Sequence, residues 1–257
     1  MLSFSILGHV FTMDTAFYLE RVLPALNSGL WVSFRLIVPA AVLGFGGGVL
    51  LGSMRVYGSP LFQKIGDAIC TVVRGVPLLV QLFFIYNCLP KIGIWLDNLL
   101  ALLSAGAYNG EIFLKFLRFD AFSTALLGFI LCSAAYQSEY IRGALLSIRK
   151  GQVKAALALG FSTHQLLVSV VMPQALRRAL PGCGNELIYL IKYSSLAYVI
   201  SCIELTGEAN VLAGRTYRYL EVYLAVGAYY LALTTIAATI LARLEKRFAI
   251  PGFNTKT

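Results

Sequence analysis

Long apolar segments dominate this sequence and restrict how the chain can fold. Four of them reach the length of about 20 residues that a helix needs to cross a bilayer: residues 29–54, 121–146, 186–205 and 222–242. A fifth segment, 69–90, qualifies although it contains Arg74 and Pro77. Inside a bilayer the backbone must satisfy its own hydrogen bonds, so each segment is predicted to be a transmembrane helix.

The composition agrees with an all-α membrane protein of five spans. Charged residues make up 13% of the chain, against about 25% in soluble proteins, and the mean hydropathy is +0.76. The five spans and their connections occupy most of the sequence, so we expect one membrane domain over residues 1–257. Residues 14–27 have mixed polarity and are predicted to form an interfacial helix. Residues 94–107 are apolar but short, and could extend the second span, lie in the interface or re-enter the bilayer.

The distribution of charge between the connections predicts the orientation. One set of connections is strongly basic and contains only Asp67 and Glu245 as acidic residues, whereas acidic residues balance the other set. The basic residues of the first set are Arg55, Lys64, Arg149, Lys150, Lys154, Arg177, Arg178, Arg243, Lys246, Arg247 and Lys256. Because basic loops face the cytoplasm, we predict a cytoplasmic loop at 149–181, an external N-terminus and a cytoplasmic C-terminus. The same rule accounts for the net charge of +9 without a nucleic-acid partner.

The loop at 149–181 contains a short helical pattern. Its centre, residues 154–160, is rich in Ala and Leu and is predicted to be helical. Gly160 is suited to a helix C-cap, and Ser162 or Thr163 to the N-cap of the next helix. The small side chains of Ala155 and Ala156 would let this helix enter a narrow groove on a partner, but the pattern also fits an amphipathic helix on the protein surface.

Four short motifs give the sequence a family resemblance. Lys154-Ala155-Ala156, three residues, Gly160, nine residues and then Val170-Val171-Met172-Pro173 resembles the EAA loop of ABC importer permeases. The other motifs resemble signatures of the polar-amino-acid subfamily: Arg74-Gly75-Val76-Pro77-Leu78-Leu79-Val80-Gln81, the set Tyr136, Glu139, Arg142 and Gly143, and Lys192-Tyr193-Ser194-Ser195-Leu196. Two positions depart from the family pattern, because Lys154 replaces a Glu and Ser194 replaces a Thr.

The resemblance implies the permease subunit of a type I ABC importer for polar amino acids of the histidine, arginine or glutamine type. It would be a multi-pass protein of the prokaryotic cytoplasmic (inner) membrane and not itself an enzyme. Its loop would be the coupling helix that enters a groove of a cytoplasmic ATPase, with Lys154, Ala155, Ala156 and Gly160 at the contact. A second permease subunit, identical or related, and an external solute-binding protein would complete the system.

The nucleotide site is expected on another polypeptide. The pattern GxxxxGK[ST], which cradles nucleotide phosphates, does not occur in this chain, so ATP and magnesium would bind to the partner ATPase. No cofactor is expected on this chain, and His9 and His164 are too isolated in sequence to suggest a metal site. The alternative function is a secondary transporter or channel that uses the intramembrane charges without an ATPase.

Polar residues within the spans are the candidates for substrate binding, because charge at bilayer depth is costly and is usually functional. The candidates are Glu139, Arg74, Gln81, Tyr136, Arg142, Lys192, Ser194 and Ser195. Glu139 could meet the ammonium group of an amino acid, or it could pair with Arg142 on the same helix face. Arg74 could line the pathway or extend to the interface. Lys192 requires a counter-charge, for which Glu186 and Glu139 are candidates.

Overall fold

The computed structural model describes residues 15–104 and 110–248, and within these ranges the chain is helical with short connections. We number the helices in chain order: α1 Thr15–Tyr57, α2 Pro60–Gly75, α3 Leu78–Leu103, α4 Ile112–Leu117, α5 Ala121–Leu146, α6 Lys150–Ala158, α7 163–193, α8 Leu205–Thr216 and α9 Tyr219–Phe248. A 3-10 turn, Ser194–Ile200, follows α7. Residues 105–107 of the apolar segment 94–107, His9 and the two chain ends lie outside the described residues.

Four helices in the described part of the chain are long and apolar enough to cross a membrane, namely α1, α3, α5 and α9. A fifth span arises if α7 and α8 are taken together, because they form a pair bent by 52° at residues 201–204. The all-α membrane fold is therefore confirmed, and the described residues contain four candidate spans, or the predicted five if the bent pair counts as one. The orientation of the chain ends remains a prediction from the charge distribution.

The first and third spans show how local sequence sets helix ends. Helix α5 occupies the predicted segment 121–146, and the side chain of Asp120 caps it by accepting hydrogen bonds from the backbone N–H groups of Phe122 (3.1 Å) and Ser123 (3.3 Å). The pKa of Asp120 is lowered, chiefly by a hydrogen bond with the side chain of Ser123 and then by these backbone hydrogen bonds. Helix α1 begins at Thr15 and includes the stretch predicted as a separate interfacial helix. The stretch is therefore helical from Thr15 and continuous with the first span, its apolar side packs against α8 and α9, and its interfacial position stays a prediction.

The predicted second span is divided at Pro77. Helix α2 ends at Gly75, and Val76 is extended (φ −100°, ψ 129°), as expected for a residue before proline. The spanning helix is α3, which starts at Leu78 and continues to Leu103. Residues 94–103 therefore extend this span, which was one of the three alternatives. The predicted loop at 149–181 is likewise partly helical, because α7 begins at residue 163.

Helices α1 and α5 pack along a seam of glycines spaced one helical turn apart. A Cβ atom at Gly44 would lie 2.7 Å from Ser133 Oγ, one at Gly48 would lie 2.6 Å from Gln137 Cβ, and one at Gly52 would lie 2.9 Å from Ile141 Cγ2. The absence of side chains lets the two backbones approach closely, as small residues do between membrane helices. The glycine run thus serves packing within this chain, except at Gly46, around which there is open space.

A buried carboxylate holds the bend between α7 and α8. The side chain of Glu204 is fully buried and caps α8, since its Oε1 accepts hydrogen bonds from the N–H groups of Thr206 (3.0 Å) and Gly207 (3.1 Å). Its Oε2 accepts hydrogen bonds from the hydroxyls of Ser33 on α1 (3.3 Å) and Tyr230 on α9 (3.0 Å). Four donors satisfy the buried oxygens, so the bend is fixed to both neighbouring spans.

Candidate functional site: a tyrosine-lined cavity beside an ion-pair cluster

A cavity of about 420 Å³ lies where the break between α2 and α3 meets α5 and α7. Its walls include Tyr136 and Tyr140, which are four residues apart on α5, and Tyr189 and Tyr193, which are four residues apart on α7. Residues at this spacing lie on the same helix face. The tyrosines therefore surround the cavity with aromatic rings from two spans.

A carboxylate and a guanidinium lie in the same cavity wall. Glu186 of α7 is 3% exposed and Arg74 is at the end of α2, and both line the cavity. Glu186 Oε1 accepts a hydrogen bond of 2.6 Å from the hydroxyl of Tyr193. Glu186 forms no ion pair with a residue in the part of the chain that the structure describes. The cavity thus holds a buried carboxyl group that forms no ion pair within the described residues.

Lys192 does not form an ion pair with Glu186, contrary to one of the predicted pairings. Six residues along a helix turn the side chain by about 240°, so Lys192 and Glu186 lie on different faces of α7. The Lys192 side chain is exposed, and its Nζ lies 5.5 Å from the centre of the Tyr189 ring. Glu139 does not pair with it either. The two serine candidates that follow Tyr193, Ser194 and Ser195, donate hydrogen bonds to backbone carbonyls of residues 191 and 192 at the end of α7.

Glu139 lies in a cluster of ion pairs next to the cavity. Its Oε2 accepts hydrogen bonds from Arg55 (2.9 Å) and Arg74 (3.0 Å), and its Oε1 accepts one from Arg142 Nε (3.1 Å). Arg55 also pairs with Asp67 at 2.7 Å. One carboxylate therefore joins the ends of α1, α2 and α5 through three guanidinium groups. The pairing of Glu139 with Arg142 is present, and Arg55 and Asp67 are members that the sequence did not indicate.

Arg74 belongs both to the cavity wall and to the ion-pair cluster. Its guanidinium pairs with Glu139 and lies 5.4 Å from the centre of the Tyr136 ring, which faces the cavity. The side chain is 37% exposed, so it is not confined by packing. A ligand in the cavity can therefore reach a charge that also holds α2 against α5.

Gln81 stabilises the break that opens this side of the cavity. Its Nε2 donates hydrogen bonds of 2.7 Å to the carbonyls of Val73 and Val76. These carbonyls lie where the helical hydrogen-bond ladder is interrupted, since Pro77 has no N–H. The side-chain amide thus replaces the missing backbone donor. Gln81, predicted as a candidate for substrate binding, is not among the residues that line the cavity.

Helix α6 and the turn after it carry the predicted coupling residues. Lys154, Ala155 and Gly160 are exposed, whereas Ala156 is buried against the bundle. Gly160 has a φ of +83° and ends the helix in a Schellman motif, with hydrogen bonds from Gly160 N to Leu157 O (3.0 Å) and from Phe161 N to Ala156 O (3.2 Å). The C-cap predicted at Gly160 is therefore confirmed.

The next helix begins with a reciprocal cap. Gln165 N donates to Ser162 Oγ (3.3 Å), and Ser162 N donates to Gln165 Oε1 (2.9 Å), which is a capping box. The N-cap predicted at Ser162 or Thr163 is thus confirmed at Ser162. Because both ends of this connection are fixed, the exposed side of α6 is held in a defined orientation.

This arrangement of bent and broken spans, a tyrosine-lined cavity and an exposed short helix is that of a transport-system permease. Residues 22–250 match the family of binding-protein-dependent transport system inner membrane components, and the chain belongs to this family. The glutamine transport system permease protein GlnP of Escherichia coli (strain K12) is 36% identical over 234 residues, which cover 87% of this chain and 97% of GlnP. The octopine transport system permease protein OccM of Rhizobium radiobacter is 36% identical over 232 residues, covering 90% of this chain and 89% of OccM.

Solved structures agree with the fold. A chain of an amino acid ABC transporter crystallised with histidines superposes with a TM-score of 0.76 at 29% identity, covering 92% of this chain and 100% of that one. An inward-facing MetNI methionine ABC transporter gives a TM-score of 0.66 at 18% identity, over 93% of this chain and 100% of that one, and supports the fold alone. The ABC importer permease family predicted from the EAA-like loop is confirmed.

Proposed function

We propose that this chain is the permease subunit of an ATP-driven importer of polar amino acids, and that its tyrosine-lined cavity binds the amino acid during transport. The observation that carries the proposal is the presence of Arg74 and Glu186 in one cavity wall. A free amino acid carries a carboxylate and an ammonium group, and these two charges match an arginine and a glutamate.

The two charged residues differ in how they are held. A guanidinium binds a carboxylate with two parallel hydrogen bonds, and Arg74 is partly exposed and can turn towards a ligand. Glu186 is buried with one hydrogen bond from Tyr193, so its remaining acceptor positions suit an ammonium group. The tyrosine rings add favourable contacts with a cation. Names of relatives point to the same class of substrate, since GlnP is a glutamine permease.

Transport would be driven by a separate ATPase subunit that contacts α6. Membership of the family supports such a partner together with a binding protein, and the sequence contains no phosphate-binding loop of its own. A second permease subunit, identical or related, would complete the pathway. ATP and magnesium then bind to the ATPase, and this chain converts movement of α6 into rearrangement of the spans around the cavity.

Uptake by the assembled transporter in liposomes tests the role of the cavity. We expect Glu186→Gln, which keeps the shape but removes the charge, to reduce uptake of glutamine, histidine and arginine at least about tenfold, because a charge-assisted hydrogen bond is lost. The matched control is Glu111→Gln, an exposed carboxylate outside the cavity, which should transport at the rate of the unmodified protein. Normal uptake by Glu186→Gln would refute the assignment, and uptake driven by an ion gradient without ATP would favour a secondary transporter.

A further inference from the structure

We infer that the coupling surface of this chain is built for an acidic groove, so that its ATPase partner carries carboxylates opposite Lys154 and its neighbours. We define the coupling surface as the exposed residues of 149–161. The inference rests on the proposed function, which supplies the kind of partner, and it adds the charge of the partner surface.

The charge of this region has one sign over a long stretch. Residues 140–185 contain no Asp or Glu, and their basic residues are Arg142, Arg149, Lys150, Lys154, Arg177 and Arg178. Arg149, Lys150 and Lys154 are exposed on or next to α6, and none of them forms an ion pair with a residue in the described ranges. The charged residues of this surface are therefore all positive, and no described part of the chain neutralises them.

Apolar side chains accompany these cations. Leu157 is 49% exposed, Leu159 is 80% exposed and Phe161 is 37% exposed. Only Ala156 is buried, with Val153 partly so, and these two residues fix the opposite side of α6 to the bundle. A partner that covers the apolar residues must also cover the lysines and arginine beside them. Covering an unpaired charge is costly unless the partner provides an opposite charge.

Lys154 is the residue that sets this preference. This chain has a lysine at position 154, where the EAA pattern that the loop resembles has a glutamate, so the resemblance implies a reversed charge at one point of the contact. Juxtaposed like charges suppress binding to the wrong partner. The lysine therefore selects against ATPase subunits whose groove carries basic residues to receive a glutamate, and it selects for those with a carboxylate.

The test uses the assembled transporter, with the permease tagged and the ATPase subunit retained by it as the measured quantity. Retention is followed against NaCl concentration for the unmodified chain, Lys154→Gln and Lys154→Glu. We expect retention by the unmodified chain to fall as salt screens the contact. We expect Lys154→Gln to weaken the contact and Lys154→Glu to weaken it at least about tenfold at low salt. Lys64→Glu, a reversal of an exposed lysine on α2, is the control and should behave as the unmodified chain.

A set of ATPase variants, tested with the Lys154→Glu permease, identifies the carboxylate that lies opposite Lys154. Replacing the carboxylates of the ATPase surface one at a time by lysine should restore retention of the Lys154→Glu permease at one position. The inference is wrong if Lys154→Glu retains the ATPase as well as the unmodified chain at every salt concentration. It is also wrong if the reversal acts only in vesicles of anionic lipid and not in neutral detergent, because the surface would then bind lipid headgroups. If the unmodified permease retains no ATPase at all, the proposed function itself fails.

Discussion

The glycine seam between α1 and α5 provides a sharp test of how this bundle is held together. We consider Gly48→Ala with Gly46→Ala as its partner, since both residues lie in the same helix two positions apart. A Cβ at Gly48 would lie 2.6 Å from Gln137 Cβ and 3.2 Å from the Gln137 carbonyl carbon, whereas nothing lies within 4 Å of a Cβ at Gly46. The first contact is about 1 Å shorter than carbon atoms allow, and the carbonyl carbon cannot rotate away.

The difference in stability between Gly48→Ala and Gly46→Ala follows from two opposing contributions. Replacing glycine by alanine within a helix stabilises it by about 1 kcal/mol, and this gain is common to the two variants and cancels in their difference. Forcing an extra carbon into a packed contact costs about 1–3 kcal/mol, and only Gly48→Ala incurs this cost. We therefore expect Gly48→Ala to be less stable than Gly46→Ala by about 1–3 kcal/mol.

The measurement is the thermal unfolding of the two variants, purified side by side in the same detergent. For a chain of this size a difference of 1–3 kcal/mol corresponds to a melting temperature lower by roughly 2–12 °C. Equal melting temperatures for the two variants would refute the reasoning, because the close approach of the helices at Gly48 would then have no energetic consequence. A lower melting temperature for Gly46→Ala alone would place the critical contact on the opposite face of α1.

Four further perturbations have defined outcomes. Glu139→Gln should reduce uptake of arginine, histidine, glutamine and glutamate to a similar extent, because it leaves three guanidinium groups without their shared carboxylate; selective loss of the basic amino acids would instead indicate direct recognition. Gly160→Asp should abolish substrate-stimulated ATPase activity in the reconstituted complex while the spans still insert, since the turn after α6 requires a positive φ; normal stimulation would count against this. Glu204→Ala should lower the melting temperature, because it leaves four buried donors without their acceptor and each unsatisfied group costs about 1–3 kcal/mol; an unchanged melting temperature would show that the bend does not depend on this side chain. The pKa of Asp120 is lowered in the folded state, so its ionised side chain contributes stability above the unfolded pKa, and this contribution is lost as the pH falls through the folded pKa. Asp120→Asn retains a capping side chain but does not titrate. Its melting temperature should therefore depend less on pH in the acid range than that of the unmodified protein.

The parts of the fold that sequence predicted well are those set by neighbouring residues. Helix α5 was predicted at its observed bounds from its apolar run alone, and the structure adds the local reason for its start, the capping side chain of Asp120. Gly160 and Ser162 were recognised as caps because each acts on residues within one turn. The break before Pro77 lay inside a predicted span, because hydropathy averages over a window and does not register a single missing N–H.

The ion pairs depend on how helices rotate and approach each other, which the sequence did not reveal. Arg55 was assigned to a basic loop, yet its position at the end of α1 brings it to Glu139, 84 positions later in the chain. Glu186 was considered only as a partner for Lys192, although helix phase separates the two and directs Glu186 into the cavity. A count of residues per turn could have excluded that pairing in advance. The cavity itself could not be predicted, since it arises where the α2–α3 break, α5 and α7 meet, and these three parts of the chain are distant in sequence.

The double role of Arg74 has a thermodynamic consequence. In the structure this side chain completes the ion pairs that fasten α2 to α5, and the same side chain faces the tyrosine-lined cavity. A ligand carboxylate in the cavity would compete with Glu139 for the guanidinium of Arg74. Ligand binding and the ion pair between α2 and α5 are therefore thermodynamically linked. This linkage is reciprocal. Separation of α2 from α5 frees Arg74 and strengthens the binding of a ligand carboxylate. The coupling free energy is the same as that by which the bound ligand weakens the contact between α2 and α5.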